Sequence, residues 1–353
     1  ASRDRQQGRR GHRADVPQLL GSGHPAFLVA EIGLNHNGEV ELAKRMIESA
    51  AKNGADAVKL QTFVAREMIS NSLLADDPDH PGNEIPFYEF FQRYELSRAD
   101  YKDLIAYAGK LNIPLFSTPF DDASLDMLVE LGMPALKIAS PDLTYTPFLE
   151  RAAETDLPVV LSTGMGNEKE IGEALHALRK ASSVILLHCV SNYPSRYEEM
   201  NMACLAGMRS KFELPVGLSD HTLDNLSAVV AASLGAVLIE KHFTLDRNLP
   251  GVDQSISMQP EDLRQLKSEL LNVTKILGDG KKKIQESEIP VRQSARRSLV
   301  ARIDIPAGTP LEPAMLACNR PGTGIPPNEL DRVLGKSPKV AISAEQLLTW
   351  DMF

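Results

Sequence analysis

Residues 215–222 read PVGLSDHT, an apolar run that ends in three consecutive polar side chains, Ser219, Asp220 and His221. A strand buried on both faces is apolar throughout, and a turn draws on Gly, Asn or Pro, so this ending needs its own reason. The same ending recurs along the chain. Short β-rich runs stand at FLVAE (27–31), DAVKLQ (56–61), PLFST (114–118), ALKIAS (135–140), PVVLST (158–163), VILLHC (184–189), PVGLSD (215–220) and AVLIEKH (236–242). They close, in order, on Glu31, Lys59 with Gln61, Ser117 with Thr118, Lys137 with Ser140, Ser162 with Thr163, Cys189 with Ser191, Ser219 with His221, and Glu240 with His242.

Segments with helical spacing lie between these runs. ELAKRMIESAAKNG sets Leu42, Met46, Ile47 and Ala50 on one face and stops at Gly54. DDASLDMLVELG opens at Asp121 or Asp122 as N-cap and ends at Gly132. EKEIGEALHALRKA and DNLSAVVAASLG follow the same plan. Buried strands alternating with amphipathic helices imply parallel strands and crossover helices. Eight such units predict an α/β fold, a (β/α)8 TIM barrel over residues 25–277. Barrel active sites lie at the C-terminal strand ends, so eight polar endings converge on one rim. The long excursion at 62–96, with DDPDHPGNEIP, precedes a helix expected at 97–111 and has the length of a loop that covers a site.

Residues 278–293, with GDGKKKIQESE, read as a linker whose lysines are solvated, since no strand precedes them in a phosphate-loop context. Residues 294–353 (SLVARIDIPAGTPL, CNRPGTGIPP, KSPKVAISAEQLL) suggest a small α+β or mostly β module, marginal by itself at about 60 residues. Residues 1–24 read as a flexible tail, rich in Arg but without the apolar region of a signal peptide.

A net charge of −9 argues against nucleic acid or an anionic membrane as partner, and no apolar run is long enough to span a bilayer. Cys189, Cys204 and Cys318 form no CxxC pair and read as reduced thiols of a cytoplasmic protein.

His221 and His242 end consecutive strands and are expected to be neighbours at the mouth, where two imidazoles can hold a divalent metal with water or carboxylate completing the shell. A pair of hydrogen-bonded rim histidines is the plainer reading. Lys59 and Lys137 sit in apolar strands, where an ammonium needs an anion. That anion is either an internal carboxylate, Glu31 or Glu240, or a ligand phosphate and carboxylate helped by Ser140, Ser162 and Ser219. Metal, lysines and Glu31 together suggest carbonyl or enol chemistry on an anionic substrate. His36 and Asn35 in GLNHNG serve either the rim or the cap of the next helix.

Taken in order, AEIGLNHNG, GADAVKLQTF, STPFDD, LKIAS, STGM, VSNYP, GLSDHTLDN, EKHFTLDRNLPGVD and RPGTGIPP resemble the sialic acid synthase family, from about residue 25 to the C-terminus. The last segment resembles the antifreeze-like (SAF) domain of that family. The resemblance implies a metal-dependent condensation without a Schiff base. Phosphoenolpyruvate adds through C3 to the open-chain aldehyde of an N-acylmannosamine-type sugar, water attacks C2, and phosphate leaves by C–O cleavage. It further implies that His221 and His242 bind the ion, typically manganese, with magnesium or cobalt as substitutes. Lys59, Lys137, Ser140, Ser162, Ser191 and Ser219 would hold phosphoenolpyruvate; Glu31 and Asp253 would meet the sugar and its reacting aldehyde or water; Tyr193 and Gln61 would line the pocket. Arg320, in NRPGTG, would reach the N-acyl group bound by the partner subunit, which implies a domain-swapped homodimer.

This chain departs from the family on the sugar side. Pro141-Asp142 stands where Gly-Glu is common, which withdraws a carboxylate by one methylene; Tyr145 replaces a small polar residue; Val252 and Gln254 flank Asp253 in place of Pro and His. The expected product is N-acetylneuraminate. The alternative is a legionaminate- or pseudaminate-type acid made from a 2,4-diacetamido-6-deoxyhexose. A non-catalytic carbohydrate- or ice-binding barrel would be expected to lack His221, His242 or Lys137, and all three are present. A Schiff-base lyase would need one lysine in an apolar pocket that lowers its pKa.

Overall fold

Eight parallel strands pair edge to edge until the last meets the first. They are β1 (Phe27–Glu31), β2 (Ala57–Thr62), β3 (Leu115–Pro119), β4 (Leu136–Ile138), β5 (Val159–Ser162), β6 (Val184–Cys189), β7 (Val216–Asp220) and β8 (Leu238–His242). Register runs Glu31 beside Lys59 on one side of β1 and Glu31 beside His242 on the other. The structure is a computed structural model that describes residues 24–76 and 82–353; the expected tail falls almost wholly on residues outside these. Eight helices follow the strands: α1 (Val40–Lys52), α2 (Arg98–Lys110), α3 (Asp122–Glu130), α4 (Thr146–Glu154), α5 (Glu168–Ala177), α6 (Cys204–Phe212), α7 (Leu226–Ser233) and α8 (Pro260–Leu277).

Local signals start several of the helices. Ser97 and Asp100 form a capping box for α2, Asn167 and Glu170 form one for α5, and Asp121 accepts the Ser124 N–H at the start of α3. The apolar helix faces pack on the outward-facing strand residues Leu28, Ala30, Leu60, Leu161, Leu218 and Ile239, all fully buried. Burying such Leu, Ile or Val side chains stabilises the fold by ~1.5–3 kcal/mol each.

The barrel interior is what positions the site. Its lower layer is apolar, built from Val29, Ala57, Phe116, Val160, Ile185, Leu187 and Leu238. Side chains alternate along a strand, so the next inward positions are Glu31, Lys59, Thr118, Ser162, Cys189 and Glu240. The interior therefore changes from apolar to charged within one pleat. Gly217 belongs to the crowded lower layer: a Cβ there would lie 2.8 Å from Leu187 Cδ2 and against the Leu238 carbonyl.

The excursion after β2 carries two short helices, Ala65–Met68 and Phe87–Gln92, and an antiparallel hairpin of Leu74–Asp76 with Glu84–Pro86. It has its own aromatic cluster, in which Phe63 packs edge-on to Phe91 and Phe120. Phe63 and Phe120 directly follow β2 and β3, so the excursion is anchored at the C-terminal rim.

Residues 280–353 form a second compact unit. An antiparallel pair, β9 (Ser298–Ala301) and β10 (Leu316–Asn319), organises a small core of Leu299, Ile305, Leu311, Ile325, Val333, Ile342 and Leu348. Part of the stretch read as a linker is helical, over Ile289–Ala295. Among the described residues no helix is long and apolar enough to cross a membrane.

Candidate active site

Two lysines and two glutamates fill the charged layer. Lys59 makes an ion pair with Glu31, donates to Thr118 Oγ1 at 2.9 Å, and lies 3.8 Å from Glu240 Oε2. Burial pulls the Lys59 pKa down, but Glu240 and Glu31 outweigh it and hold it above its ordinary value. Lys137 is less well matched. Its Nζ donates to the Ile138 carbonyl at 3.0 Å and stands 3.9 Å from Glu240 Oε1, and burial, aided by Lys59, leaves its pKa lowered. Glu240 accepts from Ser219 Oγ at 3.0 Å; burial opposes its ionisation, yet Lys137 and Lys59 keep it below the usual carboxylate range. The internal carboxylates considered for the lysines are thus both present, with Lys137 the more weakly compensated cation.

A small polar cradle lies beside them. The Gly164 N–H donates to Ser140 Oγ at 3.0 Å, and a Cβ on Gly164 would fall within 2.8 Å of that oxygen, 3.2 Å of Cys189 Sγ and closer still to Ser191 Oγ. Only glycine leaves this cradle open. Ser162 Oγ, on the neighbouring inward position, is buried without a hydrogen-bond partner. Asp142 Oδ2 is likewise buried and unpartnered, and burial raises the Asp142 carboxyl to about 6 against the pull of Lys137.

The two rim histidines are neighbours, with ring centroids 5.6 Å apart. Tyr193 packs 4.1 Å from the His221 ring and 6.0 Å from that of His242. His221 Nδ1 is 2.9 Å from the Val190 carbonyl, which makes this nitrogen the protonated donor and leaves Nε2 free. Burial lowers the His221 pKa, but contact with Cys189 Sγ at 3.9 Å carries the net shift upward. His242 Nδ1 is buried without a hydrogen-bond partner, and Asp253 Oδ2 lies 3.6 Å away. Among the described residues no group of three or more His, Cys, Asp and Glu is placed to hold a metal ion. Two imidazoles, one with an orphaned nitrogen, fit an open ion site whose other positions take water or substrate.

Some of the expected rim residues point elsewhere. Ser117 Oγ pairs with Thr62 Oγ1 at 2.6 Å, and Thr163 Oγ1 donates to the Leu187 carbonyl, because the pleat turns both away from the interior. Neither Asn35 nor His36 caps α1, whose N-cap is Glu39 without a side-chain bond. Asn35 Nδ2 instead ties the β1 loop to Phe243 O at 3.0 Å and Ser257 Oγ at 2.8 Å, and Gln254 Nε2 donates to Asn35 O. Gln61 faces the Gly33 backbone at the rim, and Arg320 lies in the second unit, exposed. Glu240, Thr118 and Cys189 belong to the interior set as well; they stand among the strand endings, but strand-end chemistry alone gives them no substrate or metal role. Two-residue spacing from the apolar layer identifies all three.

The NeuB family profile matches residues 46–282 and the SAF domain profile residues 296–353. The N,N'-diacetyllegionaminic acid synthase of Legionella pneumophila is 38% identical over 94% of this chain and 95% of its own. The synthase of the same name from Campylobacter jejuni is 40% identical over 88% of this chain and 95% of its own. Among solved structures, the N-acetylneuraminic acid (sialic acid) synthetase of Leptospira borgpetersenii, in complex with citrate, superposes with a TM-score of 0.70 at 38% identity, covering 77% of this chain and 92% of that one. With these matches over the whole of a barrel whose mouth gathers lysines, glutamates and paired histidines, the chain belongs to the NeuB family of group-transferring synthases and ends in a SAF domain.

Proposed function

We propose that this enzyme condenses phosphoenolpyruvate with the open-chain aldehyde of an N-acylated amino sugar to give a nonulosonic acid and inorganic phosphate. The observation that carries the reading is the buried Glu31–Lys59–Glu240–Lys137 set lying below paired imidazoles in one barrel mouth. Lys59 is already matched by two carboxylates, so it orients Glu31 and Glu240 as much as it attracts a ligand. Lys137 has one carboxylate, Glu240, at 3.9 Å and shared with Lys59, and an incoming phosphate or carboxylate supplies the missing counter-charge. Ser140, Ser162, Ser191 and Ser219 surround that anion with hydroxyls.

Glu31 and Asp253 are then the carboxylates for the sugar side, one to manage the proton at the aldehyde oxygen and one to orient the water that attacks C2. Tyr193 and Gln61 line the pocket. His221 and His242 would hold a divalent ion, manganese with magnesium or cobalt as substitutes, whose chemistry there is polarisation of the aldehyde oxygen. Carbon–carbon bond formation at C3, water addition at C2 and departure of phosphate together consume one water and balance. Arg320, within the SAF domain match at residues 296–353, would contact the N-acyl group held by the partner subunit of a homodimer.

The sugar separates two readings. N-acetylmannosamine is the expectation drawn from the resemblance, and the name of the Leptospira relative supports it. The two legionaminic acid synthases support a 2,4-diacetamido-6-deoxyhexose, and they match a larger share of this chain. We favour the diacetamido sugar. Phosphate release is measured with phosphoenolpyruvate, Mn2+ and each sugar in turn. Release that requires all three components and is faster with the diacetamido sugar is the expected result. Release that persists without any sugar overturns the synthase reading, and preference for N-acetylmannosamine overturns the choice of sugar.

A further inference from the structure

We infer that the buried Asp220–Lys241 ion pair is a positioning device that fixes the spacing of His221 and His242 across β7 and β8. Each member of the pair immediately precedes one of the histidines. Ser219, His221, Glu240 and His242 face the barrel interior, so Asp220 and Lys241 face the helix layer. The two residues are direct register partners. Lys241 Nζ lies 2.8 Å from Asp220 Oδ2, with both side chains essentially inaccessible to solvent.

The pair extends around His221. Lys241 Nζ also donates to the Thr222 carbonyl, and Asp220 Oδ1 accepts from Thr222 N at 3.0 Å and Thr222 Oγ1 at 2.8 Å. The residues on both sides of His221 are therefore tied to the residue before His242, while the His221 ring is held from the other face by Val190 O at 2.9 Å. Packing does not ask for charge at this place. The neighbouring outward positions, Leu218, Ile239 and Phe243, are apolar and fully buried. Exchanging a buried ion pair for apolar groups of similar volume is often neutral or stabilising, so burial of this pair contributes little that Leu or Met would not. What it adds is directional: one fixed distance between two strand ends at the point where both imidazoles project.

This inference rests on the reading that the two histidines share an ion, and the test separates the two. In Asp220→Asn with Lys241→Met, the charges go while an acceptor for Thr222 and most of the volume remain. The expected result is an apo protein that unfolds as cooperatively as the wild type and near the same temperature, with a Mn2+ dissociation constant, titrated by electron paramagnetic resonance, raised 10–100-fold. A folded double variant that binds Mn2+ as the wild type does overturns the inference. If the double variant does not fold, Lys241→Gln alone is used; a several-fold weakening supports the inference and wild-type affinity overturns it. His242→Ala runs in parallel. If that variant also binds Mn2+ normally, the ion reading itself fails and the positioning role falls with it; if only that variant loses Mn2+, the ion reading stands and the positioning role alone is wrong.

Discussion

Asp253 sets a carboxylate oxygen 3.6 Å from His242 Nδ1, a buried imidazole nitrogen with no hydrogen-bond partner. An unsatisfied buried polar atom costs ~1–3 kcal/mol, so a fold that keeps one at a concave rim has left room for a ligand. Burial lowers the His242 pKa, although Asp253 and Glu31 oppose it, so the ring is neutral at pH 7 and has a lone pair to offer. His242→Ala should fold normally, lose tight Mn2+ binding and fall to background turnover. Metal content by mass spectrometry and phosphate release check this, and an active, metal-replete variant would refute the assignment.

Glu240 lies 3.8 Å from Lys59 and 3.9 Å from Lys137, the one carboxylate among the described residues that pairs with both. Removing one member of a buried charge cluster leaves the others uncompensated, at a cost of about 3–5 kcal/mol. Glu240→Gln should therefore lower stability by about 3 kcal/mol or more in urea unfolding at pH 7. Saturating phosphoenolpyruvate should restore part of that loss, since its charge replaces the missing one. An unchanged urea midpoint would show that the lysines do not depend on Glu240.

The barrel was legible because its two periodicities are clean: eight strand runs matched the observed strands to within one or two residues, with helices of 3.6 spacing between them. The site was legible in part. His221, His242, Lys59, Lys137 and Glu31 converge as their strand ends implied. Ser117 and Thr163 do not, because being near a strand end says nothing about which face of the pleat a side chain takes. Counting by two from Val29, Phe116, Leu187 and Leu238 removes them and keeps Thr118, Cys189 and Glu240 from the same set of strand endings. Asn35 was illegible for another reason. Its partners, Phe243 and Ser257, are 208 and 222 residues away, and local spacing cannot report bonds of that range.

His36 provides a pH test of that loop. It is buried, accepts the Gly38 N–H on Nδ1 at 3.0 Å, and burial lowers its pKa from 6.5 to about 4. Between those values the unfolded chain takes up a proton that the folded chain refuses, so stability falls as pH drops from 6.5 to about 4. The loss attributable to this one group is about 3 kcal/mol. His36→Asn keeps an acceptor for Gly38 and should flatten that limb of the stability curve by a comparable amount. Parallel curves for the two proteins would show that His36 does not titrate in this way.

Asp142 works with the opposite sign. Burial raises its carboxyl from 3.8 to about 6, so the folded chain holds a proton there that the unfolded chain has lost. Stability from this group increases as pH falls from about 6 to 3.8, and its ionisation at neutral pH costs about 3 kcal/mol. Asp142→Asn should gain up to that amount at pH 7 and nothing at pH 3.5. On the proposed sugar-side role of Asp142, the same variant should also show a raised KM for the sugar. A gain in stability with unaltered sugar kinetics would remove Asp142 from the sugar side.

Lys137 separates the two chemistries a buried lysine can perform. Burial and the nearby Lys59 lower its pKa, which is the state a Schiff-base lysine uses, yet Glu240 lies 3.9 Å away and the Ile138 carbonyl accepts a hydrogen bond from it at 3.0 Å. On the proposed reading Lys137 acts as an anion-binding cation, drawn to its charged form by Glu240 and an incoming phosphate or carboxylate. Borohydride added with pyruvate or phosphoenolpyruvate should leave the intact mass unchanged, while Lys137→Met should raise the KM for phosphoenolpyruvate by roughly 100-fold, the effect of losing a desolvated charge-assisted contact worth about 3 kcal/mol. A pyruvyl adduct that disappears in Lys137→Met would replace the condensation by C–O cleavage with a lysine-bound imine mechanism.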